Sequence, residues 1–217
     1  MPQGDARGFF FVPLTPPVDA AGPLSLAMPG DRPYVPAMTP AAPMTADELL
    51  RLHVPDKHVE LVRGVLVVRE PAGYRHGEVT ARLANLLMNY ADAGNLGRVV
   101  AAETGFKLTA DPDTVRAPDI AFISRVRLPD PKPTGYPELA PDLVVEVLSP
   151  SDRPGDVLAK VADWLSAGTR LVWVVDPERR QARVYRQDGS DTVVSANDTL
   201  DGEDAVPGFV SPLSAIF

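Results

Sequence analysis

From residue 44 onward, apolar positions recur with two alternating periods, and the switches between them mark out the elements. Thr45-Ala46-Asp47-Glu48 reads as a capping start, with Thr45 as N-cap and an acid three residues on, opening a short helix to about Leu52. Val59 to Val68 reads as two strands around a tight turn at Arg63-Gly64. His76 to Tyr90 places Val79, Leu83, Leu86, Leu87 and Tyr90 at helical spacing. Arg98 to Leu108 follows as one strand, Asp111-Pro112-Asp113 as a turn, and Pro118 to Ser124 as another strand. Leu143 to Leu148 is apolar at all but one position, the texture of a central strand. Asp156 to Ala167 is a helix stopped by Gly168, and Leu171–Val175 with Ala182–Arg186 forms the last strand pair, turned at Asp176-Pro177. No internal repeat is present. The pattern predicts a mixed α/β domain with one main sheet and about three helices.

The first 43 residues have no such period. They hold ten of the 24 prolines and few charges, and proline removes backbone donors and fixes φ. We therefore expect a Pro-rich disordered tail over 1–43 and one domain over 44–217. Cysteine is absent, which excludes disulfides and thiolate zinc sites. No apolar run approaches the roughly 20 residues of a membrane span, and no secretory signal pattern opens the chain. A cytoplasmic protein without membrane contact is expected. The formal net charge of −8 disfavours a simple phosphate binder but suits a divalent-metal site, whose ligands are carboxylates.

Four side chains stand out against this background. Glu146 is an acid inside Leu143-Val144-Val145-Glu146-Val147-Leu148. An ionised carboxylate there must reach solvent at a sheet edge, pair with a cation such as arginine, or bind a metal. Asp119 follows Pro118 at the start of an apolar strand, where it either caps a turn or joins Glu146 on one Mg²⁺. Lys160 sits beside the apolar stripe of its helix. It either pairs with Asp156 four residues earlier or leans over the sheet towards Glu146, to orient or deprotonate a water or to neutralise charge. Glu60, between Val59 and Leu61, is by alternation an ordinary exposed strand acid. His76 at its helix start reads as a surface or capping residue, and three histidines without ligand spacing make no zinc site. No phosphate-binding glycine loop, nucleophile elbow or cysteine nucleophile appears.

In order, the chain carries Val59-Glu60-Leu61-Val62-Arg63-Gly64-Val65-Leu66, His76 opening a helix, and Arg116-Ala117-Pro118-Asp119-Ile120-Ala121-Phe122. Then come Pro141-Asp142-Leu143-Val144-Val145-Glu146-Val147-Leu148-Ser149-Pro150-Ser151, Lys160 on a helix, and Val172-Trp173-Val174-Val175-Asp176-Pro177. This series resembles the Uma family of restriction-endonuclease-like proteins, in the PD-(D/E)XK nuclease superfamily, from about Met44 to Phe217. The resemblance implies an α/β restriction-endonuclease-like core, a mixed β-sheet flanked by helices. It further implies a metal-dependent endonuclease acting on DNA with Mg²⁺ or Mn²⁺, and a homodimer, the form in which many such nucleases cut duplexes. Asp119 and Glu146 would be metal ligands, Glu60 an additional acid on the metal, and Lys160 the catalytic lysine. Two residues after Glu146, where the superfamily motif has lysine, this chain has Leu148. Lys160 on the next helix is the replacement the resemblance suggests. The Pro-rich tail has no counterpart in the family pattern. The alternative is a catalytically degenerate binding or regulatory module on the same fold.

Overall fold

The computed structural model describes residues 42–217, so the expected tail over 1–43 lies, but for its last two positions, outside the described residues. Helix α1 (Ala46–Arg51) begins with the reciprocal cap its sequence predicts. The Thr45 hydroxyl accepts from the Glu48 N–H, and the Glu48 carboxylate accepts from the Thr45 N–H at 2.8 Å. Strands β1 (His58–Val62) and β2 (Val65–Arg69) form a hairpin turned by Arg63 and Gly64. Both turn residues have positive φ, the handedness that matches the twist of the paired strands. Helix α2 (Tyr74–Ala93) buries Val79, Leu83, Ala84, Leu87 and Ala91 along one stripe.

The single strand expected over Arg98–Leu108 is two, β3 (Gly97–Ala101) and β4 (Phe106–Thr109), and they belong to different sheets. Ala102 and Glu103 between them both adopt positive φ, which interrupts the extended chain and redirects it. The turn at Asp111-Pro112-Asp113 leads into β5 (Thr114–Arg116), a strand too short for alternation to disclose. Strand β6 (Ile120–Ser124) starts just after Asp119. Strand β7 (Leu143–Val147), helix α3 (Pro154–Ser166), β8 (Leu171–Asp176) and β9 (Gln181–Arg186) lie close to their predicted positions. That last pair is not the end of the fold. Strands β10 (Asp191–Ser195), β11 (Thr199–Asp201) and β12 (Val210–Pro212) follow, mostly exposed and therefore weakly patterned.

The one main sheet of the sequence reading is, among the described residues, a six-stranded sheet, a four-stranded sheet and a two-stranded ribbon. Their orders are β10-β9-β8-β7-β6-β3, β2-β1-β5-β4 and β11-β12. Strands β7 and β8 run parallel, joined by α3 as the crossover, and the other pairings are antiparallel. With sheets flanked by helices, the architecture is the mixed α/β class predicted. Strand β7 is buried at every position. Leu143, Val145 and Val147 face a core shared with Leu83, Leu87 and Trp173, while Val144 faces Val161 and Trp164 of α3. Period-2 alternation thus puts Glu146 on the α3 side. A third cluster packs Leu49 of α1 on Leu61 and Val115. Among the described residues no helix is long and apolar enough to cross a membrane.

The foot of β7 is anchored by Asp142, 1% exposed. Its carboxylate accepts from the Ser124 N–H at 2.8 Å and from Arg127 Nη1 at 2.9 Å. Burial alone would raise its pKa, but these donors outweigh burial and hold it below the ordinary 3.8 of aspartate. A depressed carboxyl pKa contributes stability that is present above the unfolded-state value and lost as pH falls through the folded one. Asp142→Asn is therefore expected to lower stability at neutral pH and to flatten its decline on acidification, as measured by urea unfolding across pH 7 down to roughly 3.

Candidate active site

The end of β7 that carries Glu146 meets the start of β6, the inner face of the four-stranded sheet, and helix α3. Alternation on β1 and β5 places Leu61 and Val115 towards α1, so Glu60 and Arg116 point the opposite way, towards α3. Residues Lys160, Asp163 and Trp164, spaced i, i+3, i+4, share one helical face. That face is aimed at both sheets.

Glu146, 6% exposed, has both oxygens engaged. Oε2 accepts from Lys160 Nζ at 3.0 Å and Oε1 from the indole Trp164 Nε1 at 2.9 Å. Trp164 itself is fully buried and packs edge-on to Phe106 of β4. Lys160 Nζ also lies 3.4 Å from Glu60 Oε1. Of the two openings left by the sequence, the lysine has taken the one towards Glu146. The other oxygen of Glu60 accepts from Arg116 Nη1 at 2.9 Å, and Oε1 accepts from the Ala117 N–H at 3.0 Å. The Arg116 fork continues to Asp163, with Nε at 2.9 Å and Nη2 at 2.6 Å from Oδ2. Glu60, which alternation alone left exposed, is 4% exposed, because its outer face is covered by α3. Like that of Glu146, its carboxylate has both oxygens partnered, by Arg116, Lys160 and the Ala117 amide.

Asp119 reaches the same strand end from β6. Its Oδ2 accepts from the Val147 N–H at 2.6 Å, and its Oδ1 lies 3.2 Å from His76 Nε2. The four residues singled out in the sequence, Asp119, Glu146, Lys160 and Glu60, therefore share one neighbourhood. Leu148, where a lysine was expected, instead packs into the apolar cluster containing Val161 and Trp164.

Charge organises this neighbourhood. Burial raises the Glu146 pKa most; Lys160 opposes that, but the negative charges of Asp119 and Glu60 add to it, and the net result is a raised value. Burial works against the charged form of Lys160 too, yet Glu146 and Glu60 more than reverse it and hold the amine above the ordinary lysine value. For Glu60, burial is outweighed by Lys160, Arg116, the Ala117 amide and Arg69, which leave it lowered. His76 is raised, because the hydrogen bond and charge of Asp119 overcome its burial. Among the described residues no three His, Cys, Asp or Glu side chains are grouped to cage an ion by themselves.

Several members of the site escaped the sequence reading. His76 looked like a helix-start surface residue; only the fold brings α2 against Asp119. Trp164 and Arg116 were not singled out. The four-residue spacing from Lys160 to Trp164 was a signal but names no partner, and β5 is too short to give Arg116 a face in the sequence.

The family model described as "Uma2: Putative restriction endonuclease" matches residues 46–214. A solved structure of similar fold is a "putative nuclease belonging to DUF820" from Anabaena variabilis. It has a TM-score of 0.71 and 21% identity, covering 81% of this chain and 98% of that one. No curated protein matches the chain.

Arg116 is the cation that both Glu60 and Asp163 depend on, with 5% of its side chain exposed. Arg116→Met removes it while leaving both acids in place. The expected cost is about 3–5 kcal/mol in urea unfolding followed by tryptophan fluorescence. A loss under about 1 kcal/mol would mean that the network behaves like a surface pair.

Proposed function

The chain belongs to the Uma2 family, and on that premise we propose that it is a divalent-metal-dependent nuclease hydrolysing phosphodiester bonds in DNA. The observation that carries this reading is the contact of Lys160 with Glu146, on the strand end that Asp119 also reaches. An acid, a second acid and a lysine from three separate elements converge there, although the lysine is absent from its usual place two residues after Glu146.

The donor set fits a hard cation. Asp119 and Glu146 offer carboxylate oxygens, and their mutual repulsion in a buried site is relieved by a positive ion between them. Two carboxylates with no third side-chain ligand suit Mg²⁺ or Mn²⁺, since such ions keep several waters and complete their shell with substrate phosphate. Asp119 and Glu146 are the residues that would hold it, and its chemistry when bound is to polarise a phosphoryl oxygen and acidify a water. His76 and the Val147 amide fix the Asp119 carboxylate; Trp164 fixes that of Glu146.

Lys160 remains an ammonium, because two carboxylates hold its proton. It therefore serves as a fixed positive charge and hydrogen-bond donor towards the attacking water and the developing phosphorane charge, not as the base. Glu60 acts one step back from the reaction in this reading. It orients Lys160 and is not a ligand of the ion.

The test is a cleavage panel on duplex, single-stranded and RNA substrates with Mg²⁺ or Mn²⁺, alongside Mn²⁺ binding by calorimetry. Glu146→Ala is expected to abolish both cleavage and Mn²⁺ binding. Lys160→Met should keep Mn²⁺ binding and lose about 10²-fold or more in rate. Cleavage that survives Glu146→Ala would come from a contaminant and sink the assignment. The placement of Leu148 in the motif favours one other outcome, a module that binds DNA and metal yet cuts nothing.

A further inference from the structure

The site holds two buried or half-buried arginines that differ in how well they are satisfied. Arg116 spends Nε, Nη1 and Nη2 on hydrogen bonds of 2.6–2.9 Å, the mark of a structural arginine. Arg69, at the end of β2, does not. Register pairs Val67 with Glu60 and Arg69 with His58, so Arg69 projects from the same sheet face as Glu60. Its Nε is buried without a hydrogen-bond partner; the Glu60 Oε2 nearby is 3.8 Å away, near enough for an ion pair but too far for a hydrogen bond. Its one hydrogen bond among the described residues is a long one of 3.4 Å from Nη1 to Asp152 Oδ1. A buried N–H left without a partner is destabilising. Yet 32% of this side chain faces solvent, so a ligand that displaces Asp152 has an approach to the guanidinium.

Asp152 is itself held by the loop after β7. Its Oδ2 accepts from the Ser149 N–H at 2.7 Å, which leaves Oδ1 for Arg69 at the rim. The ligand that belongs on this fork follows from charge. Glu60, Asp119 and Glu146 repel a polyanion, Arg116 is consumed by Glu60 and Asp163, and Lys160 is shared by Glu60 and Glu146. A planar guanidinium with free N–H groups takes a phosphate through two parallel bonds, which a loosely held carboxylate only imitates.

We propose that Arg69 grips a backbone phosphate of the DNA substrate, and that Asp152 is the internal carboxylate occupying this fork until the phosphate displaces it. This rests on the nuclease reading and names the group that anchors the substrate in it.

The experiment is fluorescence anisotropy of a labelled DNA duplex with the full chain in Ca²⁺, repeated across a KCl series, with Mn²⁺ calorimetry on each variant. Arg69→Ala is expected to weaken binding about tenfold and to reduce the salt slope by about one phosphate contact. Arg69→Lys should keep most of the slope and lose affinity, since charge survives and the fork does not. Asp152→Asn should bind more tightly than the parent chain, because Arg69 is released. Mn²⁺ affinity should be unchanged throughout. Urea midpoints exclude unfolding as the cause, and Arg69→Lys substitutes if Arg69→Ala does not fold. Unchanged affinity and slope in Arg69→Ala overturn the proposal while leaving cleavage by the parent chain intact. Parallel weakening in Arg69→Ala and Asp152→Asn also overturns it, as that is the behaviour of a structural ion pair. A parent chain that binds Mn²⁺ but neither binds nor cuts DNA overturns both this assignment and the nuclease reading.

Discussion

The Lys160 ammonium lies 3.0 Å from Glu146 and 3.4 Å from Glu60, and those two acids stand on sheets that are not joined strand to strand. Helix α3 carries it, and one turn further along the same face carry Asp163 to Arg116 and Trp164 to Glu146. The crossover that makes β7 and β8 parallel is therefore also the strut that ties the four-stranded sheet to the six-stranded one. Removing water from three acids and two cations is expensive. The arrangement holds because each carboxylate in it has partners, whether a side chain or the amides of Ala117 and Val147.

The balance is not uniform across the site, and its unevenness separates scaffold from chemistry. Glu60 is surrounded by positive charge, which outweighs its burial, and sits below its ordinary pKa; Glu146 sits above it, because burial, with two like charges added, outweighs Lys160. The first is the condition of a stabilising ion pair. The second is the condition of a buried acid crowded by its own kind, and groups in that state cluster at functional sites. Arg116 and Arg69 repeat the contrast with the opposite sign, one saturated and one underused. Family membership and the shared fold make a nuclease the natural setting for these imbalances, and the fold by itself assigns no reaction.

Much of the architecture was legible along the chain. The capping box at Thr45, the Arg63-Gly64 hairpin, the amphipathic α2 and the buried β7 all follow from period and turn chemistry, which act over a few residues. Failures fell where local signals conflict or fade. Positive φ at Ala102 and Glu103 split one expected strand into two, and nothing in two ordinary residues announces it. Strand β5 spans three residues, and β10 to β12 are largely exposed, so neither offers a hydrophobic period to read.

For the site, the sequence by itself determined that Glu146 and Asp119 are acids set against apolar strands, that Lys160 flanks an apolar helical stripe, and that the motif lysine is missing at Leu148. It left each of these side chains with more than one reading, because burial and pairing are set by what lies across the sheet. Only the tertiary structure decided that Glu60 is covered by α3, that Lys160 turns to the two glutamates and not to Asp156, and that His76 meets Asp119. The residues that decide these contacts are separated by 14 positions from Lys160 to Glu146 and by 56 from Arg116 to Glu60. Local periodicity gives each side chain a face; which other face it meets is fixed only when the sheets and α3 pack.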